Sequence, residues 1–268
     1  MSGDIVERVL RSSRYRDVDR TLLVRLAEEE LPRSRTADEA VKRVKRRLHQ
    51  AVGAFRGRTR AIDAIARAWN GDLTDPAFRA ACADALARHA STRERAADLD
   101  RFYRDIWTHT GVPGSVMDLG CGLGPVALPW MGLPPAATYV AIDVDRRHLA
   151  LVGEFLDLVG QPHRTEARDL VVDPPTEEAD VALLLKLVPT LDRQDPAAAA
   201  RLLRALRVRH AVVSFPNRSL GGRGKGMERT YRARLERLAA DAGRVRHIAE
   251  ASVPSELVFA LSLDPHGA

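Results

Sequence analysis

The chain has 268 residues and a hydrophobic fraction of 45%, enough to bury a substantial core in one large domain or in two unequal ones. Its two cysteines, Cys82 and Cys121, lack metal-ligand spacing, which argues against a zinc site or a disulfide framework and favours a reduced, cytoplasmic protein. The charged N-terminal stretch contains no long apolar run, so we expect neither a signal peptide nor a membrane anchor.

The formal net charge of +6 is unevenly distributed. Residues 1–110 contain 23 Lys and Arg against 17 Asp and Glu, whereas residues 111–268 contain 19 of each. This arrangement is expected when one part of a chain recruits a polyanion and the other performs chemistry. The alternative is that the excess charges are solvated helix faces in an Arg-rich protein.

Up to about residue 109, apolar residues recur at three- and four-residue spacing, which predicts helices. The helical segments are IVERVL, DRTLLVRLAEEEL, TADEAVKRVKRRLHQAVGAF, TRAIDAIARAWNG and DPAFRAACADALARHAS. Thr36 and Asp75 stand where helix N-caps are expected. We therefore predict a basic helical domain over residues 1–110.

After residue 114 the pattern changes to short apolar runs separated by helical stretches, which predicts an α/β domain over residues 111–268. The runs are SVMDLGC, TYVAIDVD, DVALLLKLV, HAVVSFPN and ELVFALSL. Alternation of strand and helix indicates a mostly parallel sheet with helices on both faces. Too few residues separate VRHIAEASVP from ELVFALSL for a crossover helix, so these runs should form an antiparallel pair at the end of the sheet.

The loop VMDLGCGLGP follows the first strand, where such sheets bind ligands. Its glycines, Gly120 among them, do not have the dinucleotide spacing, and the P-loop Gly-Lys-Ser/Thr is absent. Asp118 would repel a pyrophosphate but could pair with the ammonium group of an amino acid. S-adenosylmethionine carries such a group.

Two further acids follow the next strands. Asp143 lies near the end of TYVAIDVD and could accept hydrogen bonds from both ribose hydroxyls. Asp169 and Leu170 follow the third strand, where an acid could meet the adenine amino group beside an apolar contact. Each acid alone could be a surface or capping residue, but their occurrence at successive strand ends indicates an S-adenosylmethionine site.

Three segments around this loop resemble the aminoglycoside-resistance 16S ribosomal RNA (guanine-N7) methyltransferases: HASTRERAADLDRFY, LLLKLVPTLDRQ and SFPNRSLGGRGKGMERTY. The resemblance runs over nearly the whole chain. It implies a class I (Rossmann-like) S-adenosylmethionine-dependent methyltransferase with a helical N-terminal extension, the extension being the RNA-recognition domain. It further implies that the acceptor is N7 of a guanosine in the decoding A site of the 30S subunit, and that methylation gives resistance to 4,6-disubstituted aminoglycosides.

The resemblance also implies site residues. Phe55, His89, Ala90, Ser91 and Arg95 would close over the donor from the helical side, with Arg95 reaching the donor carboxylate. Leu185 and Gln194 would lie at the rim of the donor pocket. We expect no metal ligand in the site.

The residues predicted to serve catalysis are Lys186, Met227 and Arg229. Lys186 stands at the expected end of the fourth strand, where a cation could hold a phosphate or orient the guanine. Met227 ends the basic stretch RSLGGRGKGM, which we expect to be an RNA-contacting loop in which Met227 packs against a flipped base. Guanine N7 has an exposed lone pair and no proton, so we expect alignment rather than a general base.

Basic residues of the helical part are candidates for phosphate contact: Arg11, Arg14, Arg16, Arg33, Arg35, Lys42, Lys45, Arg46 and Arg47. Few aromatics accompany them, which favours recognition of the shape and backbone of a folded ribosomal subunit. We also expect the enzyme to be a monomer. The alternatives left open are a methyltransferase acting on adenine N1 of ribosomal RNA or on a small molecule, and a non-catalytic RNA-binding protein.

Overall fold

The computed structural model describes residues 2–51, 61–216 and 224–265. The first three helices form a small bundle: α1 (Ser2–Leu10), α2 (Arg20–Glu30) and α3 (Ala37–Ala51). Their apolar faces meet in a core that contains Val9, Leu26 and Leu48. The predicted N-cap Thr36 accepts a hydrogen bond from the backbone N–H of Glu39 at 3.2 Å.

The next three helices pack against the sheet: α4 (Ala61–Ala68), α5 (Pro76–Arg88) and α6 (Leu99–Thr110). Phe78 and Phe102, on α5 and α6, belong to the same buried cluster as Val116 of the first strand. The apolar cores therefore divide between Leu48 and Ile65, earlier in the chain than residue 110. Recognition of RNA by residues 1–110 as one domain stays a prediction.

Among the described residues, strands form a seven-stranded sheet in the order β3-β2-β1-β4-β5-β7-β6. The strands are β1 (Ser115–Leu119), β2 (Thr138–Asp143), β3 (His163–Ala167), β4 (Glu178–Leu185), β5 (Arg207–Pro216), β6 (Val245–Ala251) and β7 (Glu256–Leu263). Strands β1 to β5 are parallel, and β7 is antiparallel to both β5 and β6. The predicted parallel sheet and its terminal antiparallel pair are confirmed.

Both faces of the sheet are covered, which explains why its central strands are continuous apolar runs. In β4, Leu183 belongs to the core shared with α4 to α6 and α8, while Leu184 belongs to the core shared with α9 to α11. The remaining helices are α7 (Leu128–Met131), α8 (Arg146–Leu158), α9 (Val188–Asp192), α10 (Ala198–Ala205) and α11 (Gly224–Ala242).

One loop prediction needs correction. Residues 224–227, assigned to the basic loop, form the first turn of α11, because extending a helix that has already formed is far less costly than starting one. The rest of that predicted loop, residues 218–223, lies outside the described residues. Within the described ranges, no helix is both long and apolar enough to cross a membrane.

Candidate active site

A cavity opens at the carboxyl ends of β1, β2 and β4, where parallel sheets place their ligand sites. Many residues predicted from the sequence line it: His89, Ser91, Gly120, Asp143, Asp169, Leu170, Leu185, Lys186 and Gln194. Polar side chains therefore meet apolar walls in one concavity, which suits a ligand with charged and aromatic parts.

The glycine loop packs too tightly for side chains. Gly120 has φ 66°, and a Cβ atom there would lie 2.9 Å from Cδ1 of Leu187. At Gly124 a Cβ atom would lie 2.8 Å from Oδ2 of Asp118. The glycines thus let the backbone follow the cavity wall closely, as a bound nucleoside or amino acid requires.

Asp118 lies beneath this loop rather than in the cavity lining. It is 2% exposed, and its Oδ2 accepts a hydrogen bond from the Tyr139 hydroxyl at 2.8 Å. Burial raises the pKa of Asp118 to about 7, against the opposing effect of the Tyr139 hydrogen bond. Contact between Asp118 and the donor ammonium stays a prediction; in the structure the carboxyl group supports the loop from below.

Asp143 faces the cavity and also orders the backbone around it. Its Oδ2 accepts a hydrogen bond from the Gly122 N–H at 2.9 Å, and its Oδ1 accepts one from the Asp145 N–H at 2.9 Å. Each carboxylate oxygen has a second lone pair, so both can still accept a ribose hydroxyl. The carboxylate therefore has the position and the capacity for the predicted role.

Asp169 is tied to the N-terminal bundle by Arg25 of α2. The Arg25 Nε donates to Asp169 Oδ2 at 2.7 Å, and Nη2 donates to Oδ1 at 3.3 Å. The same Nη2 donates to Oε1 of Gln194 at 2.7 Å. Burial acts to lower the pKa of Arg25, but the hydrogen bonds and charges of Asp169 and Glu29 outweigh it and raise the pKa above its ordinary value.

The segment after α5 covers the glycine loop. His89 is buried, and its Nδ1 lies 2.7 Å from the Ser91 hydroxyl. A Cβ atom on Gly122 would meet His89 Cε1 at 3.2 Å and Ser91 Oγ at 3.4 Å. Ala90, between them, is exposed and absent from the cavity lining. His89 and Ser91 thus line the cavity on its helical side, and closure of the three residues over the donor stays a prediction.

Arg95 is held away from the cavity lining. It is 2% exposed, and its Nε donates to Glu256 Oε1 at 2.8 Å. Glu256, on β7, also accepts a hydrogen bond from the Ser214 hydroxyl at 2.6 Å. Contact between Arg95 and a donor carboxylate stays a prediction; the structure satisfies the guanidinium with an internal carboxylate.

Lys186 adopts φ 58°, the one left-handed non-glycine backbone among the described residues. Its N–H donates to the carbonyl and hydroxyl oxygens of Ser214, both at 3.1 Å. Its Nζ donates to Glu94 Oε2 at 2.5 Å and lies 3.2 Å from Glu256 Oε1. Uncommon backbone conformations cluster at functional sites, and Lys186 is one of the residues that line the cavity.

The other predicted catalytic residues lie on α11. Met227 is half-buried and Arg229 is exposed, and neither lines the cavity. Phe55 lies outside the described residues. The structure therefore brings Lys186 to the cavity and leaves the roles of these three residues as predictions.

The basic residues of the bundle fall into two groups. Arg47 is engaged by Glu29 and Glu30 of α2, and only 18% of its side chain is exposed. Lys42 and Arg46 on the same helix are exposed. Exposed members can meet phosphates, whereas Arg47 joins α3 to α2.

Several residues around the cavity escaped the sequence analysis. Leu22 of α2 lines the cavity, Arg25 holds its rim, and Glu256 balances Arg95 and Lys186. Arg25 and Asp169 are 144 residues apart in the chain, so no local pattern links them. The apolar periodicity of α2 identifies only its buried face.

The sheet order with an antiparallel β7, the glycine loop after β1 and the acids at the ends of β2 and β3 are typical of the S-adenosylmethionine-dependent methyltransferases of class I. The profile of a family described as ribosomal RNA methyltransferase (FmrO) matches residues 11–260. The chain belongs to this ribosomal RNA methyltransferase family.

Individual relatives agree with this assignment. The 16S rRNA (guanine(1405)-N(7))-methyltransferase of Frankia casuarinae is 42% identical over 260 residues, covering 94% of this chain and 90% of its own. The enzyme of the same name from Micromonospora echinospora is 37% identical over 266 residues, covering 96% and 95%. The crystal structure of the 16S rRNA methyltransferase RmtF with S-adenosyl-L-homocysteine superposes with a TM-score of 0.83 at 35% identity, covering 98% of each chain.

Proposed function

We propose that this enzyme transfers the methyl group of S-adenosylmethionine to N7 of a guanosine in the decoding A site of 16S rRNA. The supporting observation is that Asp143, Asp169, the glycine loop and Lys186 line one cavity. The two relatives described above are named for this reaction, and each aligns with this chain over nearly its whole length.

Three features of the cavity would hold the donor. Asp143 would accept the ribose hydroxyls, Asp169 the adenine amino group, and Leu170 and Leu185 would contact the adenine faces. The bound donor supplies an electrophilic methyl group next to a positively charged sulfur. His89 and Ser91, which line the cavity on its helical side, would limit the access of water.

The acceptor chemistry asks little of the protein beyond alignment. Guanine N7 attacks through a lone pair in the ring plane, and no proton leaves, so the reaction needs no general base. Lys186 would exchange its Glu94 contact for a phosphate or a guanine oxygen and so hold N7 in line with the methyl carbon. Met227 and Arg229, at the start of α11, would contact the extruded guanosine.

The substrate form that we propose is the assembled 30S subunit, bound by a monomer in the cytoplasm. Exposed Arg and Lys on the N-terminal bundle suit the phosphates of a folded RNA surface. The methylated guanosine gains bulk and positive charge, which would repel 4,6-disubstituted aminoglycosides, because these drugs are cationic.

The test is to map the modification on purified small subunits incubated with the enzyme and S-adenosylmethionine. Borohydride and aniline cleave RNA at N7-methylguanosine, and primer extension locates the break. We expect one new stop at a decoding-site guanosine and none with Asp143→Ala. Transfer of labelled methyl without cleavage would move the acceptor to another atom, and the absence of any transfer would contradict the proposal.

A further inference from the structure

Helix α2 of the N-terminal bundle contributes directly to the wall of the donor cavity. Leu22 lines the cavity, and Arg25, one turn later, is 11% exposed in its side chain. The bundle is therefore part of the donor site as well as a candidate RNA-binding surface.

Arg25 connects two sides of the cavity rim. It holds the Asp169 carboxylate through two nitrogens and reaches Oε1 of Gln194 with one of them. Paired donors of a planar guanidinium fix the plane of a carboxylate, which a single ammonium cannot do. Asp169 is 2% exposed, so removing Arg25 would leave a buried carboxylate without its cation.

The same arginine is linked to α3, which carries exposed basic side chains. Arg25 Nη1 donates to Glu29 at 3.0 Å, and Glu29 pairs in turn with Arg47 of α3. Arg47 Nη2 also reaches the carbonyl oxygen of Gln194 at 3.5 Å. A continuous set of ion pairs thus joins the helix bearing Lys42 and Arg46 to the rim of the donor cavity.

We propose that Arg25 is a positioning residue that orients Asp169 and Gln194 toward the donor adenine, and that it makes donor binding and subunit binding reinforce each other. A donor that orders Asp169 also orders α2 and, through Glu29 and Arg47, α3. By linkage, a subunit that fixes α3 then raises donor affinity by the same factor. The coupling between donor and subunit binding rests on the proposed function, whereas the positioning of Asp169 by Arg25 does not.

The first experiment measures S-adenosylhomocysteine binding by calorimetry to the wild type, Arg25→Gln, Arg25→Lys and Arg20→Gln. Arg20 is a matched control, because it lies on the same helix, is exposed and pairs with Glu7. We expect at least a tenfold rise in Kd for Arg25→Gln, a smaller rise for Arg25→Lys, and a change below twofold for Arg20→Gln. An Arg25→Gln protein that binds as tightly as the wild type overturns the proposal.

Thermal melting of each apo protein separates positioning from loss of fold. If Arg25→Gln unfolds, Arg25→Lys decides the question, since it keeps the charge and loses the paired geometry. A tenfold weaker donor affinity in a variant that melts like the wild type supports the proposal. A folded Arg25→Lys protein with wild-type affinity contradicts it.

The second experiment measures small-subunit affinity with and without S-adenosylhomocysteine. For the wild type we expect at least a fivefold gain with the ligand, and for Arg25→Gln a ratio near one at saturating ligand. A wild-type protein that gains no subunit affinity from the ligand contradicts the coupling, and so does an Arg25→Gln protein that keeps the full wild-type gain. If the wild type fails to bind the subunit, the proposed function fails instead, and the calorimetry alone decides the role of Arg25.

Discussion

The two groups of helices that precede the sheet join it in different ways. Helices α4 to α6 share an apolar core with the sheet, in which Phe78 and Phe102 are fully buried. The bundle of α1 to α3 has its own core and meets the sheet region largely through polar contacts, among them Arg25 with Asp169 and Asp19 with Arg146. Polar interfaces between packed units permit relative movement more readily than apolar ones.

This difference teaches where function can be tuned. Burying apolar surface locks α4 to α6 onto the sheet, whereas ion pairs at the edge of the cavity can be exchanged for contacts with RNA. Under the proposed coupling, the side of the donor cavity formed by the sheet and α4 to α6 would stay rigid, and the side formed by α2 would respond to what the bundle binds.

The largest expected effect is the loss of donor affinity when Asp143, at the end of β2, is replaced. Asp143→Ala should raise the Kd of S-adenosylhomocysteine more than about 100-fold, since it removes the hydrogen bond from the Gly122 N–H and the proposed ones from the ribose, each worth about 1.5–3 kcal/mol. Calorimetry measures this, and Asp157→Ala on α8, an exposed acid, should change little. If Asp143→Ala binds the donor as tightly as the wild type, Asp143 is not part of the donor site.

The next effect separates donor binding from transfer. Lys186→Ala should lower the single-turnover rate of methyl transfer to small subunits by about 100-fold, the scale of losing one well-placed charged donor. S-adenosylhomocysteine affinity should stay within threefold, and Lys186→Arg should recover part of the rate. If S-adenosylhomocysteine affinity falls as much as the transfer rate, Lys186 acts in donor binding rather than in transfer.

A third prediction concerns the support beneath the glycine loop. Burial raises the pKa of Asp118 to about 7 in the folded protein, above its value of about 3.9 in unfolded chains. Stability from the protonated form is present below pH 4 and is lost as the pH rises through 7. The wild type should therefore lose about 2 kcal/mol relative to Asp118→Asn between pH 5.5 and 7.

Urea unfolding of both proteins at the two pH values measures this difference. Glu28→Gln, at an exposed position of α2, should follow the wild type. A difference between the wild type and Asp118→Asn that is independent of pH would mean that Asp118 is ionised throughout this range.

The smallest effect distinguishes the surface of the bundle from its interior. The double change Lys42→Gln and Arg46→Gln should weaken subunit binding about tenfold and reduce the slope of log affinity against log salt by about two. Arg47→Gln should instead destabilise the bundle by about 1–3 kcal/mol, because buried Glu30 loses a partner. If Arg47→Gln reduces the salt dependence of subunit binding as much as the double change does, Arg47 contacts a phosphate.

Much of the fold follows from sequence patterns that are local. Apolar runs in β1, β2, β4, β5 and β7 predicted the sheet, and the short connection before β7 predicted its antiparallel end. Strand β3, with the polar sequence HRTEA, gives no such run, because it lies at the edge of the sheet. The acids after successive strands predicted the cavity, since parallel strands end on one side.

Tertiary packing decided the contacts between residues that are far apart in the chain, which local sequence patterns cannot predict. It assigned α4 to α6 to the core of the sheet, held Arg95 against Glu256 and gave Asp169 its partner in Arg25. The physical reason is range: periodicity and turn chemistry act over a few residues, whereas a buried charge is neutralised by whichever element the fold brings beside it. The sequence by itself therefore determined the class of site, and the tertiary structure decided which side chains hold that site in place.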